Sequence, residues 1–315
     1  MSVDEPATGD VGAVPRLANA DSRPGRLGIG VIGAGRVGAV LGAALRNAGH
    51  ALTGVHAVSE ASRTRAEALL PEVPVLEIPE ILRRSEMVLF AVPDDVLPEL
   101  ITGLADAGHI VTGHLLVHTS GRFGTAVMNP VRAHGAIPLA LHPAMTFTGL
   151  SLDLARLQDC AFGVTADPVV LPIAQALVVE MGGEPVPIAE ADRPTYHAAL
   201  AHASNHLVTL TAQSRQLLEH IGVTAPDRML SNLMHAALEN SLIDGDAALT
   251  GPVARGDVGT VTRHLAVLAT LVADDPDAAD LLDTYRALSL ATAERAHARG
   301  ALPAPAYRSL RELLS

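Results

Sequence analysis

Apolar positions along this chain keep two rhythms, and the change comes near residue 190. Upstream, short apolar runs stand between stretches of helical length. Leu27–Ile32, Ala51–Ala57, Met87–Val92, Leu115–His118, Ile137–His142 and Ala161–Val164 read as strands, with a last short one at Pro185–Ile188. Pro168–Gly182 reads as a helix closed by the Gly182-Gly183 pair. Strands separated by helices predict an α/β fold, a doubly wound parallel sheet. Pro138 lacks an N–H to donate, so its strand is expected at an edge or to begin late. Downstream the period is helical throughout. Asp192 is placed to cap a helix over Arg193–Ile221, Thr224 and Pro226 to open one towards Leu242, and Asp257 to cap another. Asp274 with Pro276 is expected to open a helix reaching Arg299, and Pro303 a short last one. In the first of these helices Leu200, Leu207 and Leu210 form a stripe expected to face a core. The predicted organisation is a disordered tail over 1–26, rich in Ala, Asp, Gly and Pro, a sheet domain over 27–188, and an all-helical domain over 189–315.

Between the first strand and its following helix lies Gly33-Ala34-Gly35-Arg36-Val37-Gly38. Strand, glycine turn and helix in this order form the dinucleotide-binding unit. Gly33 permits the tight turn, Gly35 lets backbone approach a pyrophosphate, and Gly38 lets helix and strand pack closely. The pyrophosphate would rest on the N–H groups of Gly35, Arg36 and Val37 at the positive helix end.

Composition narrows the chemistry. All 22 Lys+Arg positions are arginine, which excludes Schiff-base catalysis and a lysine general acid. A net charge of −12 and 2% aromatic residues argue against a nucleic-acid surface. The single Cys160 precludes an internal disulfide and fits a reducing cytoplasm. No apolar run is long enough for a membrane span.

Cofactor choice turns on the end of the second strand, where an acid usually holds the ribose of NAD. Between Ala51 and Val58 there is none; Ser59, Ser62, Arg63 and Arg65 follow instead. Hydroxyl and guanidinium groups suit the 2′-phosphate of NADP. In the competing reading the arginines are solvated and Glu60 holds the ribose. Three polar patches end strands at the edge where such sheets bind ligands: Val92-Pro93-Asp94-Asp95, which would lie along the cofactor, His118-Thr119-Ser120-Gly121, and His142-Pro143 with Thr146 and Phe147 beyond. On the first downstream helix His197, Ala201 and Asn205 recur every four residues and share a face. His202 and His206 have metal-compatible spacing, but no third ligand stands near them, and no metal is expected. Arg255, in Thr250-Gly251-Pro252-Val253-Ala254-Arg255-Gly256-Asp257, could clamp a carboxylate from a fixed loop.

Together the glycine motif, His118-Thr119-Ser120-Gly121, His142-Pro143, Tyr196-His197 with Ser204-Asn205, and the segment Thr250–Asp257 resemble a bacterial family that pairs a Rossmann-like domain with a helical domain of unknown function. Its relatives include pyrroline-5-carboxylate reductase, deazaflavin-dependent NADP reductase and ketopantoate reductase, and some members resemble an alternative ketopantoate reductase of pantothenate synthesis. The resemblance implies a cytoplasmic NADP(H)-dependent oxidoreductase that reduces a small oxo acid, ketopantoate first. An imine reductase and a non-catalytic NADP-binding sensor are the alternatives. His142 or His197 would protonate the product, Ser120 and Asn205 would orient its oxygen, and Arg255 would hold a carboxylate. The usual ketopantoate reductases use a helix lysine as acid; this chain has none, so their mechanism does not carry over. Ala- and Leu-rich helices, used by related reductases to dimerise, imply a homodimer.

Overall fold

The computed structural model describes residues 26–275 and 278–315. The expected tail over 1–26 lies outside these residues except for Arg26, as does Pro276. In chain order the sheet region runs β1 (Gly28–Ile32), α1 (Arg36–Asn47), β2 (Ala51–His56), α2 (Glu60–Leu69), α3 (Ile78–Arg84), β3 (Met87–Phe90), α4 (Leu97–Asp106), β4 (Leu115–His118), α5 (Asn129–Arg132), β5 (Ile137–Pro143), α6 (Leu152–Arg156), β6 (Ala161–Ala166), α7 (Leu171–Glu180) and β7 (Glu184–Pro187). The helical region continues with α8 (Arg193–His220), α9 (Pro226–Asp244), α10 (Gly251–Arg255), α11 (Val258–Asp274), α12 (Ala279–Ala298) and α13 (Ala304–Leu314).

The seven strands form one sheet in the order β2-β1-β3-β4-β5-β6-β7. Alternation along each strand feeds two cores. Ile29, Val31, Leu89 and Val117 pack on one face with Val40, Leu41 and Leu177, while Ile32, Val88, Phe90 and Leu116 pack on the other with Ile81, Leu82 and Ile101. The result is the expected Rossmann-like doubly wound sheet, with helices on both faces.

Two expectations about the sheet are corrected. β6 pairs with β5 antiparallel, so β6 and β7 oppose the first five strands. β5 is also an interior strand that begins before Pro138, not an edge or late-starting one. It tolerates the proline because its ladder to β6 starts only at Leu139, leaving no partner there that an N–H would serve.

The chain divides into two compact units, one ending at Ala201 and one beginning at His202, so the first turns of α8 belong with the sheet. In the helical unit Val253, Val261, Leu265, Ala293 and Leu310 build a core. Asp257 caps α11 by accepting from Thr260 N at 2.9 Å. Asp274 ends α11 rather than opening the next helix. The expected core-facing stripe on α8 is not buried: Leu207 is 42% and Leu210 41% exposed. No helix among the described residues is long and apolar enough to cross a membrane.

Candidate active site

The chain order reverses between β1 and β3, and at the carboxyl ends of these strands lies an open cleft of about 400 Å³. Gly33, Ala34, Gly35, His56, Ser59, Ser62, Ala91, Val92 and Pro93 are among the residues that line it. The three glycines of the motif act differently. Gly33 sits at φ +96°, a conformation that side chains rarely adopt, and with Ala34 donates its N–H to His56 O at 3.1 and 3.3 Å. A Cβ on Gly38 would lie 2.0 Å from Gly33 O and 2.8 Å from Ala91 Cβ, so only glycine lets α1 come this close. A Cβ on Gly35 would meet nothing within 4 Å. The protein itself leaves that space free.

No side chain caps α1, so the N–H groups of its first turn, from Gly35, Arg36 and Val37, are available to an anion. These features fit a pyrophosphate. At the end of β2, Ser59 caps α2 by accepting from Ser62 N at 3.2 Å. Arg63 turns back and donates from Nε to Ala57 O at 3.3 Å. Arg36 and Arg65 flank Gly149, whose Cβ would lie 3.1 and 3.0 Å from their aliphatic stems. Asp153, fully buried, holds this loop by accepting from Thr148 N at 2.7 Å and Gly149 N at 2.8 Å.

Along the same edge, about 14 Å from Gly33 by three strand spacings, a second group of side chains converges. His142 Nδ1 and Tyr196 Oη share a hydrogen bond at 2.8 Å, and His197 crosses His142 edge-on with ring centroids 6.5 Å apart. Two glycines make the room. A Cβ on Gly163 would lie 2.6 Å from Tyr196 Oη, and one on Gly121 2.8 Å from His142 Nε2 and 2.9 Å from His197 Cδ2. Arg193, Tyr196 and His197 stand at i, i+3 and i+4 on α8 and so share one face. Neither Tyr196 nor Arg193 received a role from the sequence. Their spacing at the helix start is the signal that points to them.

Burial and the neighbouring Arg193 and His197 push the His142 pKa down to about 4. Burial raises that of Tyr196. Both groups are therefore neutral at pH 7. His118, wholly buried, is structural. Its ring bonds Gly124 O at 2.8 Å through Nε2 and accepts from Ser120 N at 3.2 Å through Nδ1. Ser120 Oγ accepts from Arg122 N and Phe123 N, both at 3.2 Å, which fixes the turn that carries Gly121. Asn205 and Arg255 lie in the helical unit, where both are exposed. His202 and His206 pair with each other, Nδ1 to Nδ1 at 2.8 Å.

The family models match in two pieces: a Rossmann-like domain over residues 14–143 and a domain of unknown function (DUF2520) over 160–292. No curated protein matches the chain in sequence. Among solved structures, a proposed NADP oxidoreductase of Bacteroides fragilis is 21% identical, with a TM-score of 0.69 over 85% of this chain and 98% of its own. A Streptomyces aurantiacus imine reductase is 20% identical, with a TM-score of 0.57 over 91% and 99%. A reductive aminase of Aspergillus terreus, crystallised with NADPH and ethyl levulinate, is 14% identical, with a TM-score of 0.59 over 91% and 99%. These likenesses establish the shared fold.

The buried imidazoles make stability depend on pH. Unfolded, His118 takes up its proton near pH 6.5; folded, it does so only near pH 4, because burial disfavours the cation. In this window the unfolded chain binds more protons, so stability is full above about pH 6.5 and falls as the pH drops towards 4. His118 alone accounts for about 3 kcal/mol of that fall. Urea unfolding at pH 7.5, 5.5 and 4.5 should give a steadily falling midpoint; a flat profile would mean these rings are not held neutral.

Proposed function

From a chain that joins a Rossmann-like domain to DUF2520, we propose an NADPH-dependent reductase of a small oxo acid, with ketopantoate the first candidate substrate. The observation that carries this reading is the pairing, on one sheet edge, of an anion-ready glycine cleft with a neutral His142–Tyr196 couple. The first turn of α1 would hold the pyrophosphate, with Val92 and Pro93 along the cofactor. Ser59, Arg63 and Arg65 would hold the ribose phosphate, and neither arginine forms an ion pair among the described residues. When bound, NADPH supplies the hydride. The protein supplies the proton. His142 Nε2–H releases its proton to the substrate oxygen as Nδ1 accepts the Tyr196 proton, so no imidazolium has to form in a site that disfavours one. His197 is the second donor candidate. The activity belongs in the cytoplasm.

We assign the same chain to a homodimer. Leu233 is 67% and Leu242 79% exposed on α9, and Val208 is 68% exposed on α8, so apolar side chains stay in water in the isolated chain. Light scattering at micromolar concentration should return about twice 32.6 kDa; a monomer would reject the assignment.

Calorimetry should show NADPH binding tighter than NADH by an order of magnitude or more, since each lost charge-assisted contact costs ~1.5–3 kcal/mol. Arg63→Ala should weaken NADPH alone. Gly35→Val should melt like the parent yet lose the cofactor, whereas Gly38→Val should also be destabilised, by about 2 kcal/mol or more. Equal NADH affinity, or normal binding by Gly35→Val, would defeat the cofactor assignment.

Oxidation of NADPH with a panel of oxo acids tests the reaction. His142→Ala and Tyr196→Phe should each lower turnover ~10²–10⁴-fold with cofactor affinity nearly unchanged. If neither variant slows the reaction tenfold, the relay is wrong. Retained cofactor with no turnover on any substrate would favour the sensor.

A further inference from the structure

Arg193 opens α8 and is only 1% exposed. It spends its donors on neutral acceptors: Nε on Thr165 Oγ1 at 2.7 Å, Nη1 on Ser120 O at 3.4 Å, and Nη2 on Ala140 O at 3.1 Å and Gly163 O at 3.0 Å. Among the described residues no carboxylate bonds it. Glu190 acts on it only at a distance, being held by Thr125 N at 2.7 Å and Ala126 N at 3.2 Å. A cation this deep is ordinarily neutralised by a carboxylate partner. Here dipoles satisfy its hydrogen bonds, and its charge is offset only from a distance, by Glu190.

That charge faces the reaction centre. The guanidinium carbon lies 5.6 Å from the Tyr196 ring centroid, and Tyr196 is bonded to His142. The titratable and charged groups that act on His142 are Arg193, Tyr196 and His197 from α8 and His118 from β4. From β6 its register partner is Gly163, which carries no charge, and from the loop after β4 comes Gly121. No carboxylate is among them.

We propose that Arg193 is a positioning and specificity-determining residue whose buried charge, bonded to no carboxylate, makes the site take substrates that gain negative charge on oxygen, small oxo acids above all, and reject preformed iminium cations. The proposal rests on the reductase reading. In carbonyl reduction hydride adds to carbon, the π electrons move to oxygen, and that oxygen takes the Nε2 proton. Negative charge passes through the substrate oxygen and comes to rest on Tyr196 Oη, and Arg193 faces it throughout. Iminium reduction instead begins by bringing a cation into the same field and needs no proton from the relay. In a partly desolvated site the difference is worth an order of magnitude or more in selectivity.

Histidine-labelled protein followed by NMR reads the field directly, without turnover. His142 should titrate well below pH 6 in the parent and in Arg193→Lys, and move up in Arg193→Gln while burial still holds it below the free value. The parent loaded with NADP+ should bind oxamate, an inert oxo-acid analogue, at least tenfold more tightly than pyrrolidinium, and Arg193→Gln should narrow that gap about tenfold. An unmoved His142 in Arg193→Gln, or pyrrolidinium bound as tightly as oxamate by the parent, overturns the proposal. Should Arg193→Gln not fold, the parent's His142 titration still decides: a value at or above about pH 6 overturns the proposal. Failure of the reductase reading looks different: no NADPH oxidation with any oxo acid or cyclic imine, while the titration still decides whether Arg193 acts on His142.

Discussion

The site hangs on one buried guanidinium. Taking Arg193 out of water is costly, and the cost is met only if Thr165, Ser120, Ala140 and Gly163 present their oxygens together. Those oxygens belong to β5, β6 and the loop after β4. The start of α8 and the carboxyl edge of the sheet are therefore one cooperative arrangement: disturb either and a cation is stranded. Tyr196 and His197, one turn along α8, are carried over His142 by the same tie. Gly163 and Gly121 contribute by lacking side chains where three rings must fit.

The sheet was legible in the sequence because its signals are local. Short apolar runs such as Met87–Phe90 read as strands buried on both faces, and Gly33, Gly35 and Gly38 encode turn, cradle and packing in six residues. The direction of β6 was not legible, since an apolar strand carries no mark of the orientation in which it pairs. Pro138 misled for a related reason: a proline forbids a bond on one side of a strand at one position, which excludes less than an edge assignment assumes.

The chemistry was legible in kind and less so in wiring. His142 stands out because it ends a strand, whereas the roles of Tyr196 and Arg193 depend on which strand lies beneath α8, a fact of topology rather than of spacing. His118 shows the converse. Its place beside Ser120 and Gly121 invited a chemical reading, yet burial and two backbone partners commit it to holding the turn. The leucines of α8 illustrate another limit: helical periodicity identifies an apolar face but not what covers it, and Leu207 and Leu210 remain exposed in the single chain.

Both margins of the sheet are closed, and this restricts how the molecule can associate. At one margin β7 carries Pro185 and Pro187, which have no N–H to offer a further strand. At the other, β2 is already covered by an extended segment, with Val55 N donating to Pro74 O and Leu76 N to Val55 O, both at 2.9 Å. A passing polypeptide finds little open ladder to join, so sheet-to-sheet polymerisation is discouraged even at high concentration. Self-association is left to helical surfaces, where contacts between side chains, and not backbone pairing, select the partner.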